Sequence, residues 1–473
     1  MKKLNQNLLA GSAVVIAALL VIGALTLVEL SSLVTLGLVF ALSSLVIFAF
    51  ALINRPKFAV YALVFAIVSG QILRLRLTEE AAGSILFLDI AMGGYVVLGL
   101  VAAALNRQPL PRSLSLIFLL AFGLWIPIGL TVNSGLLLPR ELLVALAYFV
   151  RFGFLALTLF VTAWLAQKKE TQIWLLRLLL GGALTLLAIG IAQRIFVPDI
   201  RFLTRFGWDP HVNRLLSTFL DPNFFGMFLV MLYALALAGV MSVKGKAQLW
   251  LTILATVTAL AVVATLSRSS YLAVAIATFV VLFFKSWRLM TVALIGVVMM
   301  VSLVPNVRDR VVGAFSVDTT SLARIQSWQE TIEIGNTNPL VGVGYNAFGA
   351  AKIRLGFLDD LTSQSAQGGD SSLLLVYATT GVIGLLIYLA FWLSIFLESY
   401  SLWRTANEPV WQMVGLGIMA IIPAYLVHSN FVNGLFYPHL FIPFALLAGV
   451  VIGKANAGRQ AKEIFELKNP DQA

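Results

Sequence analysis

"RLLSTFLDPNFFGMFLVMLYALALAGVMSVKGK", residues 214–246, sets an arginine, a Thr-Phe pair and an Asp-Pro-Asn turn directly before an apolar run that ends at two lysines. From Phe224 to Val243 no residue carries a charge, and about 20 helical residues cover the roughly 30 Å of a bilayer's hydrocarbon core. Asp221 or Asn223 can cap the helix, and Pro222 suits its first turn. The same design recurs through the chain. Its 473 residues are 60% hydrophobic and only 11% charged, with a mean hydropathy of +0.96, too little polar side chain to cover a soluble domain. A transmembrane barrel would show short alternating segments instead of long apolar runs. The sequence therefore predicts an all-α polytopic membrane protein.

About fourteen spans are expected, at 8–28, 31–53, 58–73, 85–105, 114–132, 142–166, 173–195, 224–243, 249–266, 270–284, 289–305, 371–397, 410–427 and 434–453. The first follows "MKKLNQN" without a small-residue cleavage site and is expected to stay as a start-transfer helix. With both termini cytoplasmic, every cytoplasmic segment carries Lys or Arg, as the charge rule for topology requires. Inside, eleven of seventeen basic residues are Lys; outside, eleven of twelve are Arg, the exception being Lys352. Arginine's planar fork matches phosphate oxygens, so the outer face is expected to bind anions. The chain divides into N-terminal membrane helices (1–195), core helices carrying arginine motifs (196–305), an extracytoplasmic loop (306–370), C-terminal helices (371–453) and a cytoplasmic tail (454–473). Within the loop, "SLARIQSWQETIEIG" spaces Leu322, Ile325, Trp328 and Ile332 as a helix, with Ser321 as cap and Gly335 as stop.

Basic residues scattered over short interhelical loops argue against nucleic-acid binding. There is no cysteine, and the three histidines, His211, His428 and His439, lack paired metal-ligand spacing. No metal and no cofactor are expected.

Four stretches remain for chemistry. Arg214 before "STFLDPN" either snorkels at a helix start or holds an anion. Arg268 in "TLSRSSYLA" sits in a tight turn between two spans, facing headgroup phosphates or a specific ligand. "NPLVGVGYNAF", 338–348, has glycines but neither the lysine nor the preceding strand of a phosphate loop. Asp370, before Ser371 and Ser372, is either a helix cap or a carboxylate placed to take a proton from a hydroxyl nucleophile. Arg151, deep in the sixth span, must face a polar cavity or an intramembrane partner such as Asp89.

Taken in order, Arg214/Thr218-Phe219/Asp221-Pro222-Asn223, Ser267-Arg268, Arg324/Trp328, Asn338-Pro339/Gly342/Gly344/Phe348 and Ser372/Gly381/Gly384 resemble the motif series of the O-antigen ligase and O-antigen polymerase superfamily, over about residues 190 to 395. The resemblance implies a C-type glycosyltransferase fold. It implies a donor glycan on undecaprenyl diphosphate, and a glycan or lipid acceptor, at the outer side of a bacterial cytoplasmic membrane. It assigns Arg214 and Arg268 to the diphosphate, with Arg324 assisting and Arg151 and His211 as further substrate-side candidates. In the ligases a histidine typically stands two residues before the motif serine; here the residue is Asp370. That departure favours polymerase-like joining of lipid-linked repeats. Ligation to lipid, protein O-oligosaccharide transfer and, from another class, flipping of lipid-linked saccharide are the alternatives. His211 is the spare candidate base.

Overall fold

The computed structural model describes residues 57–76, 84–106, 108–291, 295, 319–359 and 368–468. The expected spans 8–28 and 31–53, and nearly all of 289–305, lie outside these residues. Two compact units divide the chain at Gln108.

The first unit holds α1 (Lys57–Ser69), a short antiparallel hairpin of β1 (Arg74–Arg76) and β2 (Ser84–Leu86), and α2 (Phe87–Asn106). Helix α1 stops at Gly70, whose positive φ and two bonds back to Ala66 and Ile67 close the turn. Its 13 residues reach about 20 Å, short of the 58–73 span expected. The Asp89 carboxylate accepts the Leu86 N–H at 3.0 Å and so caps α2.

The second unit is a helical bundle. Its spans are α3 (Leu114–Asn133), α4 (Pro139–Leu165), α5 (Lys169–Phe196), α6 (Pro222–Val240), α7 (Lys246–Thr265) and α8 (Arg268–Lys285). After these come α9 (Thr319–Asn336), the short α10 (Phe348–Arg354), α11 (Ser372–Thr405), α12 (Pro409–His428) and α13 (Pro438–Lys468). Ten helices among the described residues are long and apolar enough to cross a membrane. Helices α6, α12 and α13 are the most buried of them; α6 packs on α7, α8 and α12, α11 on α3 and α12, and α13 on α4. Outer helices keep apolar residues exposed, as α3 does at Leu114, Ile117, Leu120, Leu124 and Ile128. Such a stripe suits acyl chains, not water.

Helices outrun several expected limits. Helix α13 continues through the expected tail to Lys468, tied to α3's start by Asn456, whose Oδ1 accepts the Arg112 N–H at 2.8 Å. Helix α11 extends to Thr405, where Glu398 receives the Ser113 and Ser115 hydroxyls at 2.5 and 2.8 Å.

Helix α11 is broken at Gly381, with φ 69° and ψ −177°. The stretch 339–344 fills the break. The Val382 N–H, which an unbroken helix would give to Ala378, goes to the Pro339 carbonyl at 2.8 Å, and Ala378 accepts from Val343 at 2.9 Å. Thr379 accepts from Gly344 at 3.1 Å, and Thr380 from the Trp125 indole at 2.8 Å. Every one of these exchanges satisfies a backbone group that the break would otherwise orphan. The two strands of chain cross so closely that a methyl on Gly381 would overlap the Leu340 carbonyl, and one on Gly342 the Thr379–Thr380 peptide. The motif glycines thus serve a backbone crossing.

Candidate functional site

Residues 214–220 are locked before α6 begins. The Leu216 N–H donates to Gln193 Oε1 at 3.2 Å, and the Ser217 hydroxyl to the Leu186 carbonyl at 2.9 Å, docking the segment on α5. Phe219 of the Thr-Phe pair is fully buried between Phe225 and Phe228, each 5.5 Å away edge-on. Asp221 is the α6 cap, accepting the Asn223 and Phe224 N–H groups at 2.7 and 3.1 Å, with Pro222 in the first turn.

This docking aims Arg214 across the chain. Its Nε donates to the Thr265 carbonyl at 2.8 Å and Nη2 to Leu266 at 3.2 Å. A guanidinium on the last carbonyls of α7 meets the negative end of that helix, a favourable placement. Burial lowers the Arg214 pKa, which Asp221 opposes, yet arginine stays charged at any working pH. One fork is used structurally, and the rest of the guanidinium stays half-exposed beside the site.

Arg268 lies three residues further along, exposed at the first position of α8. Around it the turn is pinned by hydroxyls: Ser267 donates to Asn223 Oδ1 at 2.8 Å, Ser270 donates to Ser267 at 2.9 Å, and Ser269 stands 3.1 Å from Ser267. Beyond Ser270, the His428 Nε2 of α12 lies 3.4 Å from its hydroxyl.

The next residue after His428 leads to the start of α11. The Ser429 carbonyl accepts the Ser372 N–H at 2.7 Å, while Ser371 donates to Asn430 at 2.8 Å and Ser372 to Asn433 at 3.0 Å. Ser371 caps α11, accepting the Leu374 N–H. The capping role considered for Asp370 is therefore filled by its neighbour, so the Asp370 carboxylate is not committed to the helix start. The Asp370 N–H is held by the Ser327 hydroxyl of α9 at 3.2 Å. Burial, the largest influence, raises the Asp370 pKa above the usual carboxylate range; the Arg324 charge, the Ser327 hydrogen bond and Lys352 pull it down. Arg324 is thus Asp370's neighbour, whereas Arg214 and Arg268 share the α7–α8 turn. One continuous run of contacts connects the two groups.

Helix α9 differs from expectation at both ends. It begins at Thr319, so Ser321 is inside it, and it runs past Gly335 to Asn336. Gly335 is present for proximity: a methyl there would meet the Tyr377 ring of α11. Leu322, Ile325 and Ile332 are exposed, whereas Thr331 and Ile334 are buried. Trp328 packs near Phe431 at 5.9 Å.

Lys352, the single lysine expected outside, is buried in an ion pair with Glu330 at 2.9 Å, the side chains 8% and 16% exposed. Lys352→Met leaves the Glu330 carboxylate without its partner and is expected to lower stability by about 3–5 kcal/mol, whereas adding Glu330→Leu recovers most of it. Thermal unfolding of the purified single and double variants measures both.

His211 stands near Arg214, Asp221 and Asp209. Burial, then the Arg214 charge, hold its pKa below the ordinary imidazole value against the two aspartates, so it is neutral at pH 7. Among the arginines, it neighbours Arg214. Asp209, His211 and Asp221 bring ligand atoms within 4.8 Å of one another, close enough to share a cation. Asp221 already accepts two backbone N–H groups, and Arg214 places a positive charge alongside; both weaken a cation there. The spacing of histidines along the chain could not reveal this set, which pairs one histidine with two aspartates. Arg151 stands 5.9 Å from the Tyr148 ring and acts on the hydroxyl of buried Tyr345, so it faces the 339–347 stretch.

Sequence reasoning missed His428, Ser327, Asn223's side chain and the Glu330–Lys352 pair. Asn223 and Ser327 lie inside or beside quoted motifs; nothing local distinguishes His428 from any histidine at a span's end.

Arginines and a half-buried carboxylate thus stand at neighbouring helix ends of a polytopic helical chain. A sequence model of the O-antigen ligase family matches residues 250–389. The matched stretch includes Arg268, Arg324, the 338–348 stretch, Asp370 and the break at Gly381, and over these residues the chain is similar to that family of glycosyltransferase-like membrane proteins. Arg214 lies upstream of the match. No curated protein matches the chain.

Proposed function

We propose that this protein transfers a glycan from an undecaprenyl-diphosphate carrier to an acceptor hydroxyl at the outer face of a bacterial cytoplasmic membrane, joining lipid-linked repeats as a polymerase. The observation that carries this reading is the junction of Arg214 and Arg268 with Asp370 and Arg324 through the ends of α6, α8, α12 and α11. Asp370 takes the proton of the acceptor hydroxyl. The freed oxygen attacks the anomeric carbon from the face opposite the leaving group, and the bond from that carbon to the phosphate oxygen breaks with inversion. The electron pair leaves on undecaprenyl diphosphate, where the two arginines stabilise the growing charge without a resident metal. The exposed apolar stripe of α9 rests on the membrane surface. Both termini are cytoplasmic in this reading.

Polysaccharide length on gels, in cells lacking their own copy and complemented at matched membrane levels, tests it. Loss of long chains with accumulation of single repeats supports polymerisation. Normal chains retained on carrier lipid mean ligation instead, and donor held on the cytoplasmic side means flipping. Chelator added to the purified enzyme leaves transfer unchanged if arginines alone suffice.

Asp370→Asn is expected to lower transfer by about 10²–10⁴-fold, the usual contribution of a general base. It also has a pH signature. The folded protein binds the Asp370 proton more tightly than the unfolded chain, so that stabilisation is complete below the ordinary aspartate pKa, about 3.9, and disappears as pH rises through the raised folded value. At pH 7 the inactive Asp370→Asn variant should melt above wild type, and near pH 4 the gap should close. Equal melting at both pH values would contradict the burial argument.

A further inference from the structure

His428 is fully buried at the end of α12. Counting protons fixes its role there. Ser267 has one hydroxyl proton, and it goes to Asn223 Oδ1; Ser270 has one, and it goes to Ser267. With both protons so placed, the Ser270 oxygen faces His428 Nε2 at 3.4 Å as an acceptor, and the imidazole makes a second contact, a hydrogen bond with the Asn223 backbone. The result is a one-way relay of donors, His428 to Ser270 to Ser267 to Asn223. It crosses from α12 through the first turn of α8 to the first turn of α6.

The turn is also clamped sterically. A methyl on Gly226 of α6 would overlap the Ser270 side chain, so α6 and α8 already touch at this point. Arg214 holds the preceding carbonyls, Thr265 and Leu266. Those anchors all come from the donor side of the site. His428 is the contact from the other side, for its neighbour Ser429 holds the Ser372 N–H at the start of α11, two residues after Asp370.

We infer that His428 is a positioning residue: by donating to Ser270 it fixes the distance between the arginine turn and the Asp370 end of α11. This rests on the reading of Arg268 and Asp370 as the two halves of one transfer site. A registration device of this kind acts on the reacting geometry more than on donor affinity, since displacements of about 1 Å can slow a reaction about 100-fold. Loss of the Nε2 donor should therefore lower kcat and leave the KM for donor nearly unchanged.

The test compares His428→Leu, which fills the space without a donor, with His428→Gln, whose amide can donate from near the Nε2 position. Full-length protein in nanodiscs is assayed with the lipid-linked oligosaccharide that accumulates in cells lacking the enzyme. His428→Leu is expected to lose at least about tenfold in kcat with donor KM within about twofold, and His428→Gln to recover most of it. Amide hydrogen exchange over residues 265–272, measured without substrate, should rise in the Leu variant and return toward wild type in the Gln variant. The inference is overturned if exchange over that turn is unchanged in His428→Leu, or if Gln rescues neither exchange nor turnover. Should wild type transfer nothing from this donor, the transferase reading fails by itself, and the exchange data still decide whether His428 fixes the turn.

Discussion

Arg268→Ala should reduce turnover about 10²–10³-fold, or about 3–4 kcal/mol in the barrier, the usual loss when one stabiliser of a developing oxyanion is removed. What makes this residue informative is where it sits. The first position of a helix lies at the positive end of the backbone dipole, where a cation is unfavourable by about 0.3–1 kcal/mol, and Arg268 occupies that position on α8 while exposed. Because it is exposed, removing it should change stability by no more than about 0.5 kcal/mol, while activity collapses. Arg214 differs: its guanidinium binds two α7 carbonyls, so Arg214→Ala should lose both activity and stability. Turnover with the lipid-linked donor, set beside melting temperature, separates the two arginines. If Arg268→Ala retained wild-type turnover, the assignment of this turn to diphosphate would be wrong.

Gly381→Ala is the second large effect, and it concerns folding. Gly381 has φ 69° and ψ −177°, a region open essentially to glycine, which costs about 1–3 kcal/mol for other residues. Its added methyl would also overlap Leu340, and overpacking adds about 1–3 kcal/mol more. A loss of about 2–6 kcal/mol is comparable to the whole stability of many domains. The variant should give little monodisperse protein by size-exclusion chromatography, whereas Gly181→Ala, where a methyl meets nothing within 4 Å, should behave as wild type. Normal yield and melting for Gly381→Ala would mean the crossing tolerates displacement.

Much of this architecture can be read from residues near one another in the chain. The apolar runs locate the spans because hydrocarbon imposes a length, and "DPN" marks the start of α6 because caps and first-turn prolines act locally. The arginine, serine and glycine motifs could be put in order for the same reason. What stayed hidden depends on partners far apart in sequence. Nothing near Gly381 says that Pro339 will accept the Val382 N–H, or that Trp125 will reach Thr380. Lys352 reads as a stray outer charge until Glu330 is beside it. Ser321 has the composition of a cap but lies inside α9, and Gly335 reflects contact with the Tyr377 ring of α11 instead of a stop. Asp370 reads equally as a cap or a base, and the cap role goes to Ser371, a distinction that a single-residue shift of helix start decides.

The broken helix also bears on how the protein is made. Helix α11 has 34 residues, about 50 Å of helix, and leaves the insertion machinery as an ordinary apolar segment. On its own its backbone groups have no partner but one another, so the unaccompanied span is continuous. The acceptor for Val382 and the donors to Ala378 and Thr379 come from residues synthesised earlier, 339–344, and the indole from α3. Those pieces must wait, already delivered, until α11 arrives and bends around them. Bending of α11 is therefore a tertiary event inside the membrane that follows its insertion, and quality control that samples the nascent chain before that event meets a straight helix where the finished protein has a kinked one.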